Sequence, residues 1–224
     1  EAERRVYADR ATHLGDPDFY KVPQKYLINP IYSKYRMSNF NWEKATLSSD
    51  IKAGEVPKET EETTHFSIVD REGNAVAVTT TLNGGYGSMV FVKGAGFLLN
   101  NEMDDFSVKP GTPNMFGLLG GEANAIQPGK RMLSSMTPTI LEKNGNLFMV
   151  VGTPGGSTII TSVFQTILNV VEFDMGMQSA VNAKRFHHQW LPDEVVVEKG
   201  GIDSTTITKL EKKGYKFRQR KAIG

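Results

Sequence analysis

Two adjacent threonines head the string Thr63-Thr64-His65-Phe66-Ser67, where a polar, charged stretch gives way to a β-branched one. A threonine hydroxyl is a weak nucleophile unless a base sits beside it. Cleavage of the peptide bond between Glu62 and Thr63 would free an α-amine on the residue that carries the hydroxyl. An α-amine has an unperturbed pKa of about 7.7 to 8.0, so near neutrality part of it is unprotonated and can accept the hydroxyl proton. Thr63 would then supply both nucleophile and base. Taken alone, a Thr-Thr pair is more often just part of an ordinary strand.

Other residue groups could join such chemistry. Gly152-Thr-Pro-Gly-Gly-Ser157 precedes an amphipathic helical pattern, so Gly155 and Gly156 would present unpaired backbone N–H groups at a helix N-terminus. Such a turn can hold an oxyanion or a phosphate, but the lysine and second-glycine spacing of a Walker motif is absent. Glu102-Met-Asp-Asp105 reads by itself as a solvated acidic loop, and Ser134-Ser135 as a turn. His187 and His188 suggest zinc, yet neighbours on a strand point to opposite faces and no third ligand is suitably spaced. We read them as structural.

The elements that must position these residues follow from periodicity. Residues 1 to about 42 carry short helical patterns broken at Gly15-Asp16-Pro17 and Asn29-Pro30, with aromatic side chains that need a surface to pack on. From Glu43 to Glu62 periodicity is lost and the composition is that of an exposed, mobile tether. Thr63 to Val69 and Ala75 to Leu82 then form a β-hairpin around Asp70–Asn74. A turn centred on Glu72 sets Thr63 opposite Thr81, whereas a two-residue Glu72-Gly73 turn sets it opposite Leu82. A short strand is expected over Phe97 to Asn100, and a long loop over Pro110 to Gly121, which holds four glycines and two prolines. A second hairpin turns at Asn144-Gly145, and helices are predicted over about 158–172, 177–184 and 203–213, with an edge strand over Glu194 to Val197.

The 224 residues, 39% of them hydrophobic, can bury a substantial core. Lys plus Arg number 26 and Asp plus Glu 25, so no basic surface argues for nucleic acid or an anionic membrane. The lack of cysteine excludes disulfides, thiolate catalysis and cysteine metal sites. No apolar run reaches the about 20 residues of a membrane span. The charged helical opening, and an end at Gly224 soon after a strand-like stretch, suggest a fragment.

TTHFSIVDREGNAVAVTTTLN, LLNNEMDDFS, KRMLSSMTPTI, GTPGGS and RFHHQWLPDE follow in an order and spacing that resembles γ-glutamyltranspeptidases over nearly the whole chain. The resemblance implies an α+β protein, an αββα four-layer sandwich of the N-terminal-nucleophile hydrolase type, here incomplete. It implies self-cleavage before Thr63, so that residues 1–62 correspond to the tail of a large subunit with its tether and 63–224 to most of a small catalytic subunit. Thr63 matches the family nucleophile and Thr81 the threonine that orients it. Asn83, Glu102 and Asp105 match residues that hold the amino-acid end of a γ-glutamyl group, and Ser134 and Ser135 the pair that binds its α-carboxylate. Gly155 and Gly156 match the oxyanion hole, and Phe116 the aromatic gate of a lid loop over Pro110 to Gly121.

The implied reaction is attack of Thr63 on the γ-amide carbon of glutathione or a similar compound. A γ-glutamyl ester would form, and water, an amino acid or a dipeptide would accept the group, with no cofactor or metal. The implied partner is the missing large-subunit portion, and the implied location periplasmic or extracellular. Two features depart from the pattern. Gly84 and Gly85 stand where many relatives have threonines, and no residue matches the family's carboxylate-binding arginine. The alternatives are a capsule depolymerase or cephalosporin acylase on the same scaffold, or a folded but inactive uncleaved chain.

Overall fold

The computed structural model describes residues 1–51 and 63–224. In chain order the elements are helices α1 (Ala2–His13), α2 (Gln24–Leu27) and α3 (Pro30–Arg36), then strands β1 (Thr63–Val69), β2 (Ala75–Thr81), β3 (Phe91–Val92), β4 (Phe97–Leu98), β5 (Thr139–Lys143) and β6 (Asn146–Val151). Helices α4 (Ile159–Val171) and α5 (Met177–Asn182) follow, then strands β7 (Phe186–His187) and β8 (Val195–Glu198), helix α6 (Ser204–Lys212) and strand β9 (Phe217–Arg220). The fold mixes helix and sheet. Strands pair as β1-β2, β3-β4 and β5-β6, and a fourth sheet has the order β7-β8-β9. β8 is therefore a middle strand where the sequence suggested an edge. Among the described residues no helix is long and apolar enough to cross a membrane.

These residues gather into two compact units, one of residues 63–102, 135–186 and 222–224, the other of 1–51, 103–134 and 187–221. In the first unit the β1-β2 hairpin closes through Asp70. Its carboxylate accepts the Asn74 backbone N–H at 2.8 Å and the Asn74 side-chain amide at 2.7 Å. Gly73 takes φ +87°, a conformation open to glycine at no steric cost. This five-residue turn fixes antiparallel pairing from Thr63↔Thr81 to Val69↔Ala75, the first of the two registers the sequence allowed. Alternation then puts Thr63, His65, Ser67, Ala77, Thr79 and Thr81 on one face.

The β5-β6 hairpin turns through Asn144 and Gly145, both at positive φ as a primed hairpin turn requires. Its side chains meet α4 in an apolar core of Met149, Val151, Ile159 and Val163, with Leu141, Ile167 and Val170 packed against it. Along α4 these positions recur at helical spacing, one apolar stripe facing the strands. The amphipathic pattern in the sequence thus corresponds to a real buried face.

In the second unit α1 is not the solvated helix its charges suggest, because Arg4, Arg5 and Arg10 are buried. Burial of a guanidinium requires partners. Arg4 bonds Asp193 at 2.7 Å and the Thr46 carbonyl. Arg5 donates to the Arg36 carbonyl at 2.7 Å and to Asn39 at 2.8 Å. Arg131 grips Asp16 with a two-pronged contact of 2.6 and 3.0 Å, which holds that carboxyl well below the usual range. Parts of the aromatic surface in residues 20–42 pack pairwise, Tyr26 on Tyr32 and Phe40 on Trp42, yet Tyr26, Tyr35 and Trp42 stay mostly exposed.

The expected tether over Glu43 to Glu62 needs correction in its first part. Ala45 and Ser48 are buried, the Ala45 N–H donates to the Lys213 carbonyl at 2.6 Å, and the Ser48 hydroxyl donates to the Trp190 carbonyl at 2.5 Å. Polar, small residues read as linker can still be pinned by backbone groups far away in sequence. The rest of the expected tether, residues 52–62, and the Glu62 side of the expected cleavage bond lie outside the described residues.

His187 and His188 are buried, and each uses a ring nitrogen inside the protein. His187 Nε2 pairs with Gln189 Oε1 at 2.9 Å, and His188 Nδ1 accepts the Trp190 N–H at 2.9 Å. Burial pushes the His187 pKa down to about 4 from an ordinary 6.5. The unfolded chain therefore binds a proton at His187 between those values that the folded chain refuses, so its contribution to stability is complete above pH 6.5 and is lost as pH falls towards 4. His187→Gln should flatten the pH dependence of stability in that window, measured by urea unfolding at pH 4.5 and 7.

Candidate active site

β1 and β2 deliver the two threonines to one spot. The Thr63 hydroxyl donates to Thr81 Oγ1 at 3.3 Å, and the Asn83 backbone N–H donates to the same oxygen at 2.9 Å. Cross-strand pairing makes the first contact unavoidable, since directly opposed side chains on one face lie within reach of each other. Asn83 follows the end of β2 and is buried with φ +74°, a left-handed conformation that asparagine tolerates better than most residues.

Asn101 secures the segment beyond. Its side-chain oxygen accepts the Gly84 N–H at 2.8 Å, its carbonyl accepts the Asn83 amide at 3.4 Å, and its N–H donates to the Leu82 carbonyl at 3.1 Å. The sequence reading passed over Asn101, although it lies inside LLNNEMDDFS and asparagines beside a turn are apt to bond the backbone. Gly84 is consequently tied down at its N–H. Glu102, next in the chain, is half-buried, and burial raises its pKa from the usual carboxylate range. A partly desolvated carboxylate of this kind is suited to an ammonium partner.

The glycine turn adopts the conformation its residues permit. Gly155 has φ +135° and Gly156 φ +55°, and a 3-10 turn over Gly156–Thr158 leads into α4. Thr158 fastens the turn by donating its N–H at 3.0 Å and its hydroxyl at 2.8 Å to the Gly155 carbonyl. The hydrogen bonds of the turn thus end on a carbonyl, while the first amides of a helix have no internal acceptor and can receive negative charge. Ser135 belongs to the same unit and is partly buried.

Asp105, Phe116 and Ser134 belong to the other unit. Asp105 closes the 3-10 turn Glu102–Asp105 and accepts the Asn124 side-chain amide on its carbonyl at 2.7 Å. The loop over Pro110 to Gly121 is well pinned. Asn114 Oδ1 accepts the N–H groups of Phe116 and Leu118 at 3.0 Å each, and Asp104 accepts that of Met115 at 2.7 Å. Phe116 is 6% exposed, and its carbonyl accepts the Gln189 side chain at 3.1 Å.

Glycine is demanded unequally along the unit that carries β1 to β6. A Cβ on Gly155 would meet Thr158 Oγ1 at 2.7 Å at a φ that L side chains rarely adopt, whereas one on Gly176 would meet nothing. Gly155→Ala should lower stability by about 1–3 kcal/mol, and Gly176→Ala should leave it within about 0.5 kcal/mol, by thermal unfolding of both variants.

Comparison with known proteins places the chain in a family. The family model described as gamma-glutamyltranspeptidase matches residues 1–224. The glutathione hydrolase proenzyme of Escherichia coli is 52% identical over 225 aligned residues, covering 100% of this chain and 39% of that protein. A crystal structure of a mutant Helicobacter pylori gamma-glutamyltranspeptidase superposes with a TM-score of 0.70 at 56% identity, covering 72% of this chain and 87% of that one. The cephalosporin acylase of Bacillus halodurans shares the fold over 97% of this chain, which is 36% of the acylase, with a TM-score of 0.77 at 23% identity. The chain thus spans 39% of the length of its Escherichia coli relative, and within that span it belongs to the gamma-glutamyltranspeptidase family.

Proposed function

We propose that Thr63 is the nucleophile of a γ-glutamyl amide hydrolase and transferase acting on glutathione and related compounds. The observation that carries this reading is the contact between the Thr63 and Thr81 hydroxyls, with the Asn83 N–H converging on the same Thr81 oxygen. It gives the candidate nucleophile an orienting neighbour that is itself held by backbone. The names of relatives such as the Escherichia coli glutathione hydrolase proenzyme support the substrate class and a precursor form.

Cleavage before Thr63 exposes its α-amine, which takes the hydroxyl proton as Oγ1 attacks the γ-carbonyl carbon. The carbonyl oxygen becomes an oxyanion beside the Gly155 and Gly156 N–H groups, where fixed dipoles stabilise it without reorganisation. Collapse expels the amine, which leaves with a proton, and a γ-glutamyl-threonine ester remains. Water or the amino group of an amino acid or dipeptide then attacks that ester. Asn83, Glu102 and Asp105 hold the α-amino and α-carboxylate end of the substrate, Ser134 and Ser135 bind its α-carboxylate through hydroxyl donors, and Phe116 is the aromatic gate of the lid loop. No metal or organic cofactor has a task in this scheme. Residues 1–62 act as the tail of a large subunit, the remainder of which is the partner, and the assembled protein is an αββα sandwich working in the periplasm or outside the cell.

The test is made on the natural full-length polypeptide. Thr63→Ala should abolish the split between Glu62 and Thr63 seen by intact mass and lower γ-glutamyl-p-nitroanilide hydrolysis by at least about 1,000-fold. A Thr63→Ala protein that still splits there or still hydrolyses the anilide would overturn the assignment.

A further inference from the structure

His65 has no role in the chemistry above, yet it bridges the hairpin that carries Thr63 and the start of the glycine turn, through Thr79, Ser67 and Gly152. It lies two residues from Thr63 on the same strand face. Its Nδ1 pairs with Thr79 Oγ1 at 2.8 Å, and Thr79 stands two residues before Thr81; its Nε2 pairs with Ser67 Oγ at 3.0 Å. With both nitrogens engaged, the ring orientation is fixed. Burial also lowers its pKa, which favours a neutral ring with one donor and one acceptor.

The Nδ1–Cε1–Nε2 side of that ring faces Gly152. A Cβ built on Gly152 would stand 2.2 Å from Cε1, 2.3 Å from Nδ1 and 2.7 Å from Nε2. No positive φ is recorded for Gly152, so glycine is required here by the close approach of the imidazole and not by backbone conformation. Gly152 is also the first residue after β6 and opens the turn that carries Gly155 and Gly156. Any side chain there would force the strand end away from the hairpin, or the ring out of its bonds to Thr79 and Ser67.

We infer that His65 is a positioning residue that sets the spacing between the Thr63 strand and the glycine turn, so that the Gly155 and Gly156 amides face the carbonyl that Thr63 attacks. The inference rests on the nucleophile and oxyanion reading given above. It assigns His65 no proton transfer, so the substrate would bind normally and the rate of ester formation would suffer when the ring is removed. Misplacing catalytic groups by about an ångström can cost on the order of 100-fold.

The test is a mutant cycle in the full-length polypeptide, read by γ-glutamyl-p-nitroanilide kinetics. His65→Ala should lower kcat by about 100-fold with KM within about threefold, and should leave the apparent pKa values of the kcat profile in place. His65→Asn, whose amide can still meet Thr79 but leaves the space against Gly152 empty, should recover part of the loss. Gly152→Ala should be damaging beside the native ring and much less so in the His65→Asn background, because the added methyl then has room. That cycle remains decisive should His65→Ala fail to fold. Wild-type kcat in His65→Ala or His65→Asn, a loss confined to KM, or penalties that simply multiply in the double variant would overturn the inference. Activity surviving in Thr63→Ala would overturn the nucleophile reading and this inference with it, whereas an inactive Thr63→Ala beside an unimpaired His65→Ala would overturn this inference alone.

Discussion

Register in the β1-β2 hairpin governs the site, and register there is set by one turn. The Asp70 carboxylate gathers the Asn74 N–H and side-chain amide, and Gly73 supplies the left-handed residue that lets the chain reverse. A slip of one residue would turn every β2 side chain to the other face and take Thr81 away from Thr63. His65 and Thr79 would part company as well. The contacts of the candidate nucleophile thus depend on five residues at the far end of the hairpin, which touch none of the chemistry.

A second constraint is thickness. Gly152 and the His65 imidazole occupy volume that would be contested by any larger residue at position 152, which brings the end of β6 against the hairpin's polar face. The apolar core of Met149, Val151, Ile159 and Val163 works from behind, fixing the helix that follows the glycine turn against the strand that precedes it. Strand end and helix start are therefore both held, leaving the turn between them little freedom. This is the arrangement expected when backbone amides must be preorganised and not merely present.

The other unit is organised by buried charge. Arg4 and Arg5 of α1 pair with the neighbouring Glu1 carboxylate, Arg4 also with Asp193, and both are hydrogen-bonded by groups from distant segments, among them Thr46, Arg36 and Asn39. Breaking one such partner leaves a buried cation unpaired, which costs more than the pair's own net contribution. The same segment order brings Ser48 to Trp190, where hydroxyl and indole N–H bond opposite carbonyls at 2.5 and 3.1 Å. Polarity here is cohesive, and α1 turns its arginines to its buried side while Val6 on the same helix stays exposed.

The sequence by itself determined the two main hairpins, the amphipathic helix α4, the glycine turn before it and, through the ordered motifs around Thr63, the family. All of these are local: periodicity, β-branching and turn residues act between neighbours within about ten positions. It left the hairpin register open between Thr81 and Leu82, and it missed β3 although it placed a strand where the partner β4 lies. The local turn at Asp70–Asn74 settled the register, whereas tertiary structure decided the burial of Arg4 and Arg5, the anchoring of Ala45 and Ser48, the bonds made by Asn101 and the contact of His65 with Gly152. Each of these depends on where groups far apart in the chain, 189 residues in the case of Arg4 and Asp193, or separately turned strands come to rest. Burial and close approach are properties of that final packing, and a residue's own type and neighbours do not carry them.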